Sequence, residues 1–152
     1  MPTRTSLLLL SLLAITSLAA AADEDEKAIR QVINDYVDAA YQAKPDLVRA
    51  SVHPRLQKVG YVRRAEGAGY DEFWETFEQM QEIVQTWNRD GRVDPRTAKR
   101  EITILGRLDQ IAAARLDASW GTDLIHLVRI DEGWKIVSVI WQSPAPGTAA
   151  KQ

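Results

Sequence analysis

The chain has 152 residues, with 19 Lys and Arg against 21 Asp and Glu, and no cysteine. Charges of both signs are interspersed along the chain, which argues against nucleic acid as the main partner, because phosphate binding needs a concentrated basic surface. The lack of cysteine excludes disulfides, thiolate metal sites and a cysteine nucleophile, so packing alone must hold the fold.

Arg4 precedes an apolar run over residues 7–18, and Ala20, Ala21 and Ala22 precede the acidic stretch 23–26. This is the pattern of a removable signal peptide over residues 1–22, and it predicts export to the periplasm or the medium. The run is shorter than the roughly 20 residues of a membrane-spanning helix, so no stable membrane insertion is expected after cleavage. Residues 23–142 are left as one domain, followed by a mobile tail over 143–152 that contains Pro144, Pro146 and Gly147.

Ile29, Val32, Ile33, Tyr36, Val37, Ala40 and Tyr41 recur at helical spacing and predict a long amphipathic helix over 24–43. Pro45 restarts a short helix to Ala50, and His53 with Pro54 predicts a turn. Residues 57–63 read as a strand that includes Tyr61, and 65–69 as a loop. Phe73, Phe77, Met80, Val84 and Trp87 then repeat at spacings of four and three, which predicts a second helix with Gly91 as its C-cap. Four strands follow, over 99–105, 111–120, 122–130 and 134–142, so the class is α+β with helices packed on an antiparallel sheet.

Gly121 and Thr122 fit a two-residue turn, and the residues from Asp131 to Gly133 fit a three-residue one. Those turns set a register in which Asp117 faces His126 and Leu116 faces Leu127, while His126 faces Ser138 and Asp123 faces Trp141. Leu116, Ala118, Ile125, Leu127, Val137 and Val139 then form the core face. At its end Trp120, Asp123 and Trp141 place a carboxylate between two indoles, an arrangement suited to stacking a flat heterocycle and accepting its N–H. The opposite face carries Asp117, His126 and Ser138 in a row. A general base formed by His126 and oriented by Asp117 is one reading of it, and cross-strand polar pairs on a solvated or subunit-facing surface are the other. A serine triad lacks a glycine-flanked elbow around Ser138. His53 and Tyr61 complete the ligand-binding candidates. No motif specifies a cofactor, and two histidines without HExxH-type spacing do not specify a metal site.

The order of a long helix, His53 and Pro54, a second helix and the run from Trp120 to Leu127, leading to Gly133, Trp134 and Trp141, resembles the putative lumazine-binding family. That family is a branch of the nuclear-transport-factor-2-like (NTF2-like, SnoaL-like) superfamily, and the resemblance spans residues 24–142. It implies a curved antiparallel sheet wrapped around helices into a cone with a pocket, and a homodimer formed through the sheet. The leading expectation is an exported module that binds a small, partly apolar or aromatic molecule without turnover. A cofactor-independent isomerase, dehydratase or cyclase, and an association domain of an exported complex, are the two alternatives.

Overall fold

The computed structural model describes residues 5–66 and 68–145, with side chains described from Asp23 onward. Helix α1 spans Thr5–Tyr41, α2 Pro45–Ser51 and α3 Phe77–Trp87, and the strands are β1 Val52–Arg63, β2 Tyr70–Glu75, β3 Arg100–Arg107, β4 Ile111–Ala118, β5 Gly121–Ile130 and β6 Gly133–Gln142. The strands form one curved, unclosed sheet in the order β2-β1-β6-β5-β4-β3, with β1 and β6 parallel and every other pair antiparallel.

Helix α1 lies on the inner face of the sheet. Ile29, Ile33, Tyr36, Val37, Ala40 and Tyr41 point from it into a core completed by Leu116, Ile125, Leu127, Ile136 and Val139. Ala112, Ala114 and Ala118 on β4 are small, so their inner face leaves room for the helix backbone to come close. The helix is tied electrostatically to the sheet at its middle, because Asp25 pairs with both Arg107 on β3 and Arg129 on β5. The expected leader falls partly in α1, with residues 1–4 outside the described residues. No helix among the described residues is long and apolar enough to cross a membrane.

Several sequence expectations are corrected here. Phe73 and Trp74 fit the helical spacing of α3, yet they belong to edge strand β2, where Phe73 pairs with Gly60 and Trp74 with Val59. The helix begins later because Thr76 and Gln79 form a capping box, each side chain accepting from the other's backbone N–H. At its other end Asn88, not Gly91, is the C-cap. His53 and Pro54 sit within β1 and not in a turn. The pairing of β1 with β6 is interrupted between Val52 and Gln57, where Pro54 has no N–H to offer. Ser143, placed in the tail, is bonded to β1: its N–H donates to the Tyr61 carbonyl at 3.1 Å and its Oγ accepts from Arg63 N–H at 2.7 Å. The rest of the expected tail, from Pro146, lies outside the described residues.

The β4–β5 turn uses Ser119 and Trp120, so Ala118 pairs with Gly121 and Leu116 with Asp123. The Tyr41 hydroxyl selects this turn by accepting from Ser119 N–H at 2.8 Å while donating to the Lys99 carbonyl at 2.6 Å. The pairing therefore sits four residues away from the expected one. Because four is even, every side chain keeps its face. Between β5 and β6 the turn is Asp131-Glu132 and Leu127 pairs with Ile136. A bulge at Val137 then restores the expected pairs His126–Ser138 and Asp123–Trp141. The bulge leaves Val137 half-buried, in place of its expected core position.

Gly121 has φ of +141°, and a Cβ there would collide with the Gln142 carbonyl. Gly121→Ala should therefore cost about 2 kcal/mol or more, from backbone strain added to overlap. A urea denaturation midpoint indistinguishable from wild type would contradict this account of the turn.

Candidate functional site

A cavity of about 290 Å³ opens between the inner face of β1, β2 and β6 and helices α1 and α3. Tyr36 and Ala40 reach it from α1, Met80, Ile83, Val84 and Trp87 from α3, and Trp120 from the β4–β5 turn. Strand alternation brings Lys58 and Val62 of β1, Phe73 and Glu75 of β2, and Trp141 of β6 to the same side. Gly60 lies under the Trp141 indole, and a Cβ there would overlap the ring, so a glycine at this position is what lets the indole lie flat on β1. The buried Trp141 Nε1 has no hydrogen-bond partner among the described residues.

Behind this wall Asp123 is fully buried. Its Oδ2 accepts from the Tyr36 hydroxyl at 2.9 Å and its Oδ1 from Trp120 Nε1 at 2.7 Å. The Trp120 ring meets Tyr41 and Trp87 edge-on at centroid distances of 5.4 Å, and Tyr36 at 6.2 Å. Lys58 Nζ pairs with Glu75 Oε2 at 3.0 Å, with both side chains nearly withdrawn from solvent, and lies 5.6 and 5.8 Å from the Tyr36 and Trp141 ring centroids. Burial raises the Asp123 pKa above its ordinary 3.8, against the opposing pull of the Lys58 ammonium and the two hydrogen bonds, while Glu75 raises it further. Burial, aided by the Asp123 and Glu75 charges, holds the Tyr36 hydroxyl well above its ordinary value, so it stays a donor.

Of the residues singled out in sequence, Trp120, Asp123 and Trp141 do meet here, with the order of contact changed. Trp120 bonds Asp123 from the turn preceding β5, and Trp141 lies beside Asp123 across the β5–β6 ladder. His53 and Tyr61 do not line the cavity. The His53 Nδ1 accepts from Arg55 N–H at 3.0 Å, and the Tyr61 hydroxyl donates to Glu72 at 3.1 Å. Lys58, Glu75 and Tyr36 were not anticipated. A strand over 70–75 would have paired Glu75 with Lys58, and the sequence signal for it is the capping box beginning at Thr76.

The expected pair of Asp117 and His126 does not form. Asp117 pairs with Thr122, and His126 stands between Ala113 and Ser138, exposed on the outer face. The Asp117 carboxylate is occupied by Arg115 at 2.8 and 2.9 Å and by the Thr122 hydroxyl at 2.6 Å. Those partners, the Arg115 hydrogen bonds first, lower its pKa to about 2. A carboxylate with that pKa and no free imidazole neighbour is a counter-ion and does not orient a base. Among the described residues no cluster of three or more His, Asp or Glu is placed to hold a metal ion.

A family model described as putative lumazine-binding matches residues 24–142. No curated protein matches the chain. Among solved structures, an NTF2-like protein of unknown function from Silicibacter pomeroyi superposes with a TM-score of 0.64 at 16% identity, covering 81% of this chain and 98% of that one. One from Methylobacillus flagellatus gives 0.61 at 22%, covering 80% and 94%. An NTF2-like protein with a cystatin-like fold from Novosphingobium aromaticivorans gives 0.60 at 16%, covering 89% and 92%. At these identities the structures establish the NTF2-like fold and nothing finer.

The two aspartates should show opposite pH behaviour. Asp117 adds stability that is present above its unfolded pKa and lost as pH falls from about 4 toward 2. Asp123 holds its proton longer folded than unfolded, so its contribution is full below 3.8 and declines as pH rises through its raised folded value. Stability profiles from urea denaturation should lose the drop between about pH 4 and 2 in Asp117→Asn and the higher-pH decline in Asp123→Asn. Superimposable profiles for Asp123→Asn and wild type would show that Asp123 is not held in a perturbed state.

Proposed function

The chain belongs to the putative lumazine-binding family, and from that premise and the cavity we propose that it is a binding module for a small, flat, partly apolar molecule. One observation carries the proposal: three indoles and two further aromatic rings enclose a space near the lower end of typical ligand sites, over a single ion pair. Aromatic walls supply contact area with little loss of side-chain entropy, and the few polar groups fix orientation. Turnover is not part of the proposal, since the expected acid and base lie apart on the opposite face.

Titration with 2-(2-naphthyl)ethanol, a neutral bicyclic probe, should give saturable heat in a calorimeter. Joint replacement of Trp120 and Trp141 by Ala should weaken it by at least about tenfold. Equal affinity in the double variant would mean the two rings only pack the sheet end.

Export and self-association belong to the same proposal. The alanines before Asp23 suit a processing site ahead of Asp25, which ties α1 to the sheet through ion pairs, so cleavage there would spare that tie. On the outer face Trp74, Ile140 and Leu124 are exposed, and cross-strand pairing with Val59 places them in one apolar row. Such a row suits a second copy of the sheet. Intact-mass and sedimentation measurements on the protein recovered from a secreting host should find a chain beginning near Asp23 that sediments as a dimer, and as a monomer for Trp74→Asp. An unprocessed mass would refute export, and a wild-type monomer would refute association.

A further inference from the structure

The charge in and behind the cavity wall is unbalanced. Among the described residues Lys58 is the only basic one lining it, and its ammonium is matched by Glu75 at 3.0 Å. Asp123 adds a second carboxylate, and both of its hydrogen bonds come from neutral donors, Tyr36 and Trp120. Two carboxylates therefore lie near one ammonium, Glu75 at the aromatic wall and Asp123 behind it, where unpaired charge is poorly screened. Arg92 stacks on Trp87 with its guanidinium 5.0 Å from the ring centroid, but it is exposed and lines no part of the cavity. Glu75 is 6% exposed and among the described residues bonds through Oε2 alone, leaving Oε1 without a hydrogen-bond partner among them.

The walls are also suited to positive charge. Lys58 Nζ already sits within cation–π distance of Tyr36 and Trp141, and Phe73, Trp87 and Trp120 present further rings. A ligand anion reaching for Lys58 would meet Glu75 beside it and Asp123 behind it, raising the excess negative charge. A ligand cation would meet an open carboxylate oxygen and neutralise that excess.

Resting on the small-molecule reading above, we propose that the cavity selects an organic cation, a primary or secondary amine on a flat apolar body, with Glu75 Oε1 as its acceptor. The upward pull on Asp123 is in keeping with this, since burial first and the Glu75 charge after it both work against a negative charge behind the cavity wall. A bound ammonium would relieve that cost.

Three probes on one scaffold test the proposal by calorimetry at neutral pH: 2-(2-naphthyl)ethylamine as cation, 2-(2-naphthyl)ethanol as neutral body and 3-(2-naphthyl)propionate as anion. The amine should bind at least about tenfold more tightly than the alcohol, and the anion more weakly than either. In Glu75→Gln, which keeps the shape but removes the charge, the preference for amine over alcohol should fall to within about threefold. Alcohol or anion binding as tight as amine binding in the wild-type protein would overturn the cation assignment while leaving the binding module standing. Binding of none of the three would overturn the small-molecule reading and this one with it.

Discussion

The fully buried carboxylate of Asp123 ties together the helix, a turn and a central strand of this structure. Because it is withdrawn from the surface, its oxygens need hydrogen-bond donors, and those in the fold come from different elements: Tyr36 on α1 and Trp120 in the β4–β5 turn. The rotation of the helix, the conformation of the turn and the register of β5 are thereby tied to one another. Losing either donor would leave a buried acceptor exposed to a penalty of about 1–3 kcal/mol. Tyr41, one helical turn further along α1, adds a second tie to the same turn through Ser119. The two tyrosines fix where the indole of Trp120 can go, and that indole is a wall of the cavity.

Sequence periodicity carried the fold class, the core face and the pairing of Asp123 with Trp141, since each depends on alternation and turn placement. The β4–β5 turn was misplaced by a displacement that happened to be even, so the faces survived while specific neighbours changed. That is why Leu116, Ile125 and Leu127 stayed in the core, whereas Asp117 and His126 lost each other. The missed strand β2 has a different cause. Phe73 and Trp74 satisfy the 3.6-residue repeat of the helix that follows, and only the Thr76–Gln79 capping box separates the two segments. With β2 unseen, Glu75 and its partner Lys58 could not be brought together, and the polar part of the site stayed illegible. The bulge at Val137 left no mark in the composition of β6, yet it reconciles a two-residue turn with the expected pairings further up the strands.

The two aspartates of this hairpin show how face and register decide chemistry. Asp117 and Asp123 are six positions apart in sequence and flank the same turn. Asp117 looks outward, where Arg115 and Thr122 hold it ionised with a pKa near 2. Asp123 looks inward, where desolvation works against ionisation and only neutral groups donate to it. Identical side chains are thus driven in opposite directions by their environments, and the one pushed up by burial is the one behind the cavity wall. Perturbation of this kind also arises in purely structural networks, but here it coincides with concavity, aromatic walls and an ion pair with an oxygen to spare.

That coincidence bears on how the cavity persists. A space of this size lined only by apolar side chains would gain by collapsing, because each lost contact around a void is destabilising. Lys58 and Glu75 resist collapse, since packing Phe73 or Trp141 over them would bury the ion pair deeper without adding a hydrogen bond. The absence of a Cβ at Gly60 works in the same direction by letting Trp141 lie back against β1 rather than project across the opening. The ion pair that opposes collapse is thus the same pair that supplies the proposed acceptor, so a substitution that neutralises it would act on the shape of the cavity and on the proposed recognition together.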